Sequence, residues 1–287
     1  MSTAPSALSA TLSLGAHRGW LEYRKSFTNK QDALNYFGIS ALFLAAAYAL
    51  RDSEMPGTDV GFGTVFLAGV IGFTVAMGGI VTVAQVLATE REDGTLLRAK
   101  ALPRGIPGYL VAKAVHTLMI TLTNVAIILL PSLFLLDDVR VRSTGDALTL
   151  VAVVVVGLLA TVPIGAVIGA LITSPRAVMG ILMLPIMGIS LVSGFFSPIA
   201  TMPVWGQWIA QVFPVYWVGL GTRSALLPES SVGAELGATW RPWEMYGVLG
   251  IWAVVGLVVA PLVLRRVARR QSGSRVAQAR DRALSTV

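Results

Sequence analysis

Residues 88–105 read ATEREDGTLLRAKALPRG, a stretch that sets seven charged side chains between two long apolar runs. Apart from Arg91, acid comes first (Glu90, Glu92, Asp93) and base last (Arg98, Lys100, Arg104), an order that suits the dipole of a helix at both ends. Thr89 and Glu92 have the spacing of a capping box, Gly94 can close one helix, Thr95 can cap the next, and Pro103 can end it. No charge here meets an opposite one at i+3 or i+4, so pairing along the helix does not account for them. They are expected to face water or another protein.

The flanking runs decide the fold class. Of 287 residues, 55% are hydrophobic and 13% charged, with a mean hydropathy of +0.73. Apolar windows recur at the length of about 20 residues that a bilayer requires, so an all-α integral membrane protein is expected. The gaps between charges leave six spans, at 33–50, 60–89, 114–136, 147–175, 177–199 and 245–264. The uncharged stretch 177–222 is too long for one span, but Pro185, Pro198, Pro203 and Pro214 would break a second crossing repeatedly.

Charge supports the same count. With six spans and a cytoplasmic N-terminus, the inside segments carry 17 Lys and Arg against 6 acids, and the outside segments 5 against 9. A seventh span would place the Arg-rich tail outside, against the positive-inside rule. The expected organisation is a cytoplasmic arm at 1–32, a six-span domain at 33–264 and a basic cytoplasmic tail at 265–287, the tail meeting anionic headgroups rather than nucleic acid. Trp205, Trp208, Tyr216, Trp217, Trp240 and Trp243 then follow the fifth span. Such rings favour the headgroup layer, so short helices there are expected to dip into or lie along the outer interface.

In the arm, HRGWLEYRKSFTNKQDALNYF at 17–37 spaces Trp20, Tyr23, Phe27 and Leu34 as one helical face, with Arg18, Glu22, Lys25 and Asn29 elsewhere. An interfacial helix is expected. The start of the chain lacks a basic region ahead of an apolar run, so no cleaved signal peptide is expected.

Several chemistries are disfavoured. The spans hold no Asp, Glu, Lys or Arg well inside the hydrocarbon, which argues against a proton-coupled carrier, while sodium coupling through backbone and hydroxyl oxygens stays open. Ser190, in GISL at 188–191, has the setting of a nucleophile, but the only histidines are His17 and His116, and packing of Gly188, Ser190 and Gly194 is the simpler reading. There is no P-loop, no zinc-protease motif and no cysteine, so the chain is expected to bind no nucleotide, cofactor or metal of its own. Gly165 and Gly169 form a G-x-x-x-G pair that suggests close helix packing within or between subunits.

The charged turn resembles a signature of the membrane subunits of type-2 ATP-binding-cassette exporters, above all the daunorubicin-resistance-like permeases: Glu90, Arg91, Glu92, Gly94, Thr95 and Leu96, then Pro103 and Lys113. A second signature follows the fifth span, with Gly194, Phe195, Phe196, Pro198, Met202, Pro203, Trp205, Pro214 and Arg223. The resemblance implies that Glu90 to Leu102, including Arg98, form a coupling helix docked on a separate ATPase that holds ATP and Mg. It implies a connecting helix around Trp20, Tyr23, Arg24 and Phe27, and re-entrant helices at the outer face. It further implies two ATPase copies, a second permease copy or a sister permease, and a place in the cytoplasmic membrane. Met183, Met187, Phe195 and Phe196 are the candidate lining of a pathway for a hydrophobic drug, antibiotic or lipid. An ion-coupled carrier and an intramembrane serine hydrolase are the alternatives.

Overall fold

The computed structural model describes residues 7–28, 30–53, 60–93, 95, 105–136, 138–172, 174–195 and 198–284. Among them all regular structure is helical. Helix α1 is Ala7–Ser26 and α2 is Lys30–Ala49. Then come α3 (Phe62–Glu92), α4 (Gly105–Leu135), α5 (Thr144–Leu171) and α6 (Pro175–Val192). Two short helices, α7 (Val204–Val212) and α8 (Pro214–Leu226), lead to α9 (Pro242–Leu284), which runs on through the basic tail.

Five of these are long and apolar enough to cross a membrane, with Phe37–Ala49 of α2 a shorter apolar segment. They coincide with the gaps between charges because backbone amides in hydrocarbon must be satisfied within the segment, which a helix alone achieves here. Pro185 does not break α6, just as Pro131, Pro163 and Pro261 lie inside α4, α5 and α9. Neighbouring helices and local adjustment relieve such prolines in a membrane protein. Pro203 and Pro214 do mark breaks, at the starts of α7 and α8.

Helix α3 is the centre. Of its most apolar window 67% is buried, against 22–28% in α4, α6 and α9. It packs against α2, α4, α5 and α8, while α9 lies on α5 and α1 on α4. A π-helical turn at Gly78–Thr82 interrupts it. The Gly165/Gly169 pair of α5 works inside the chain: a Cβ at either position would overlap a backbone carbonyl of α3, that of Gly79 or of Ala84. Each of these glycines therefore lets two backbones touch, as small-residue packing requires.

Three expectations need correction. The arm is not one helix, because α1 ends at Ser26, Phe27 lies in the turn, and Leu34 belongs to α2, so the four-residue face is split. Helix α8 does not lie along an interface: it is buried over nearly its whole length, with Tyr216 and Trp217 at 0% and 2% exposure. Its sequence is mostly apolar or small, and its one charge, Arg223, is paired, which suits a helix inserted among others. Trp205, Trp208 and Trp243 are exposed, as interfacial rings would be. Gly188 has no neighbour that would meet a Cβ, so small-residue packing does not extend to it.

Candidate functional site

The charged turn begins as the last turn of α3. Thr89 is inside that helix and donates its hydroxyl to the Gln85 carbonyl, so it caps nothing. Asp93 takes the role expected of Thr95: its Oδ1 accepts from the Thr95 amide at 2.8 Å. The capping box of this chain lies elsewhere, where Ser143 and Asp146 exchange bonds at the start of α5. Gly94, Leu96 and Arg98 lie outside the described residues, as does Phe196.

Glu90 and Arg91 are half-buried, and partners distant in sequence engage both. Lys113 Nζ of α4 donates to Glu90 Oε1 at 2.7 Å and to Glu22 Oε2 of α1 at 2.6 Å. Tyr109 donates its hydroxyl to Glu90 Oε2 at 2.5 Å, and Arg18 Nε donates to Glu22 Oε1 at 3.0 Å. One cation, its side chain 7% exposed, thus joins carboxylates on two other helices. Removing one member of such a set leaves an uncompensated, largely desolvated charge. Burial pushes the Glu22 carboxyl up, but the charge and hydrogen bond of Lys113, followed by those of Arg18, outweigh it and hold Glu22 below its ordinary range.

Arg91 reaches the other way. Its Nη1 donates to the carbonyls of Ala170 at 2.5 Å and Ile172 at 3.2 Å, at the C-terminus of α5. Those carbonyls have no partner within their own helix, and a guanidinium there complements the dipole. The end of α3 is therefore tied to α1, α4 and α5, while Glu92 and Asp93 remain exposed beyond it. Beside this cluster, Tyr23 of α1 is hydrogen-bonded to Thr123 of α4 at 2.9 Å and stacks between Trp20 and Phe27 at 5.3 and 5.1 Å. Trp20, Arg24 and Phe27 stay exposed.

At the other end of α3 lies a second buried charge pair. Arg223 of α8 donates from Nε and Nη2 to the two carboxylate oxygens of Glu235, at 2.5 and 3.2 Å, and from Nη1 to the Gly194 carbonyl at 3.1 Å. Gly194 has φ +76°, a left-handed conformation that suits glycine. Met202 and Pro203 precede α7, and Pro214 supplies the first turn of α8. The sequence marked Arg223 but not Glu235, its partner 12 residues on.

Of the candidate pathway residues, Met183 and Met187 are exposed on α6, but Phe195 is 1% exposed and packs edge-on against Phe73 at 5.9 Å, which makes it core. Ser190 is 1% exposed and its hydroxyl has no hydrogen-bond partner among the described residues, while the Nε2 of His116 lies 3.1 Å from Ser26 Oγ and His17 is exposed. Among the described residues no general base is bonded to that serine, so it does not have the arrangement of a nucleophile. Among the described residues no cluster has the ligands for a metal ion.

Comparison with known families matches residues 17–227 to the model described as ABC-2 type transporter. The comparison with curated proteins yields no match.

Proposed function

The chain belongs to the ABC-2 type transporter family, and we propose that it is one half of a dimeric exporter unit, driven by ATP and Mg on a separate ATPase subunit present in two copies. In this reading all six apolar segments cross the cytoplasmic membrane, both termini are cytoplasmic, and the other half is a second copy or a sister permease. The two motifs resemble those of the daunorubicin-resistance-like subtype, to which we assign it. The cargo is a hydrophobic or amphipathic drug, antibiotic or lipid.

The observation that carries the reading is the Lys113 clamp behind the charged turn. A docking element transmits force only if it is tied to the spans it must move, and Glu90 and Arg91 tie this one to α1, α4 and α5. We assign the exposed Glu92, with Gly94, Thr95, Leu96 and Arg98, to ATPase contact, and Glu90 and Arg91 to positioning it. Trp20, Tyr23, Arg24 and Phe27 are assigned to the connecting helix, which shares the clamp through Glu22. Met202, Pro203, Trp205, Pro214 and Arg223 build the re-entrant element at the far end, and Met183 and Met187 are the remaining candidates on α6 for the pathway.

The test is a mild-detergent pull-down of the tagged protein from its native membrane. A stoichiometric soluble subunit carrying a P-loop is expected. An intact, dispersed protein that recovers no such subunit would refute the assignment.

A further inference from the structure

The helices of this chain treat their hydroxyls in a regular way. Thr74, Thr123, Thr161, Ser132 and Ser193 each return the hydroxyl to a carbonyl three or four residues earlier, which satisfies the donor in apolar surroundings. Thr82, Thr117, Thr121 and Asn124 behave differently. None of the four side chains makes a hydrogen bond to a described residue, and all four line one cavity of 240 Å³ between α2, α3 and α4. As whole residues Thr121 and Thr117 are 1% and 5% exposed, and their hydroxyls, unlike the sealed ones of Ser190 and Tyr216, open onto this cavity. Groups on such a wall take their bonds from whatever occupies the cavity, water or the polar part of a ligand.

The rest of the lining narrows what can enter. Phe43 and Phe73 give it apolar flanks, and the π-turn of α3 forms one wall. Such turns widen a helix and recur at functional sites. Among the described residues no Asp, Glu, Lys or Arg lines the cavity, and the Nε2 of His116, at one end, is engaged with Ser26. A charged group there would be desolvated without a counter-charge, whereas hydroxyl, amide or carbonyl groups would find both donors and acceptors. At about 30 Å³ per water the volume corresponds to roughly eight waters, enough for a small head group and the first carbons of its tail.

We infer that the cavity between α2, α3 and α4 binds the polar head of an uncharged, hydroxyl- or amide-bearing amphiphile, whose apolar part lies against Phe43 and Phe73. The inference rests on the exporter reading and names the class of its cargo. It also moves the point of recognition from α6 to the face where α3 is distorted.

The experiment uses the permease with its ATPase in lipid nanodiscs and a monoacylglycerol carrying a diazirine in its acyl chain. Irradiation is expected to label peptides of α2, α3 and α4. Unlabelled monoacylglycerol should compete, and its phosphate monoester at the same concentration should not. Thr121→Val combined with Asn124→Leu keeps the volume close and removes two bonding groups, so labelling should fall about tenfold. Asn124→Leu alone should lower it about threefold, which keeps the test decisive if the double variant fails to insert. Unchanged labelling in the variants, or equal competition by the charged ester, would overturn the inference and make the cavity a slot for acyl chains alone. Recovery of the ATPase from the same samples reads the exporter assignment separately: its absence with labelling intact sinks that assignment and leaves the binding site standing.

Discussion

The two buried charge clusters sit at opposite ends of α3 and are built on different plans. Arg223 and Glu235 are 2% and 6% exposed, form a bidentate pair, and come from one short stretch that folds back on itself. Lys113, on α4, instead bridges carboxylates on two other helices, and these stay 17% and 25% exposed. A closed pair within one stretch fixes that stretch, whereas a cation shared between separate helices makes them move together. The first arrangement suits a lock, and the second suits a transmission.

Breaking the lock should have the largest effect on stability. Glu235→Gln or Arg223→Met leaves a buried charge unpaired and should cost about 4 kcal/mol, read as a fall in thermal unfolding temperature in detergent. Replacing both, with Arg223→Met and Glu235→Leu, should recover most of it, since two apolar groups leave no orphan charge. Failure of the double variant to recover would mean that the bond to Gly194 matters more than the pair.

The transmission should break differently. Lys113→Met is expected to cost about 2 kcal/mol, less than the lock because Glu22 and Glu90 keep some water, yet to abolish coupling of ATP hydrolysis to transport. Glu90→Gln retains hydrogen-bonding capacity and should cost about 1 kcal/mol while still slowing coupled turnover. A variant that lost stability and kept coupling would remove the distinction between the two ends.

The smallest effect is one of pH. Glu22 lies below its ordinary range, so the stabilisation it carries is fully present above about pH 4.3 and is lost as pH falls through the lowered value. Since the chain lacks cysteine, spin labels at Arg24→Cys and Leu130→Cys can report the α1 to α4 distance. The distance should broaden only on acidification below that range, and broadening near neutral pH would contradict the assignment.

What could be read from the sequence follows from what is local. The five long apolar helices were legible because a charge gap and a helix suited to hydrocarbon are the same physical requirement. The turn was legible as a place, since its charges interrupt apolar runs. Its wiring was not. Glu22, Glu90 and Lys113 are brought together by packing over many residues, and no spacing rule reaches that far. The same holds for Glu235, whose pairing depends on how the segment after α8 folds back, and for Tyr216 and Trp217, where an interfacial composition conceals a buried helix. The capping box was expected at Thr89 because the spacing fits, but α3 simply continues through that residue, while Ser143 and Asp146 hold the box that forms.

The most direct test of the account compares Glu92→Lys with Lys113→Met in the purified complex, reading ATPase co-purification and ATP hydrolysis together. Glu92→Lys should lose the ATPase subunit altogether, and Lys113→Met should retain it with hydrolysis no longer coupled to transport. If Glu92→Lys keeps both the subunit and coupled hydrolysis, the charged turn is not the docking element and the account fails at its centre.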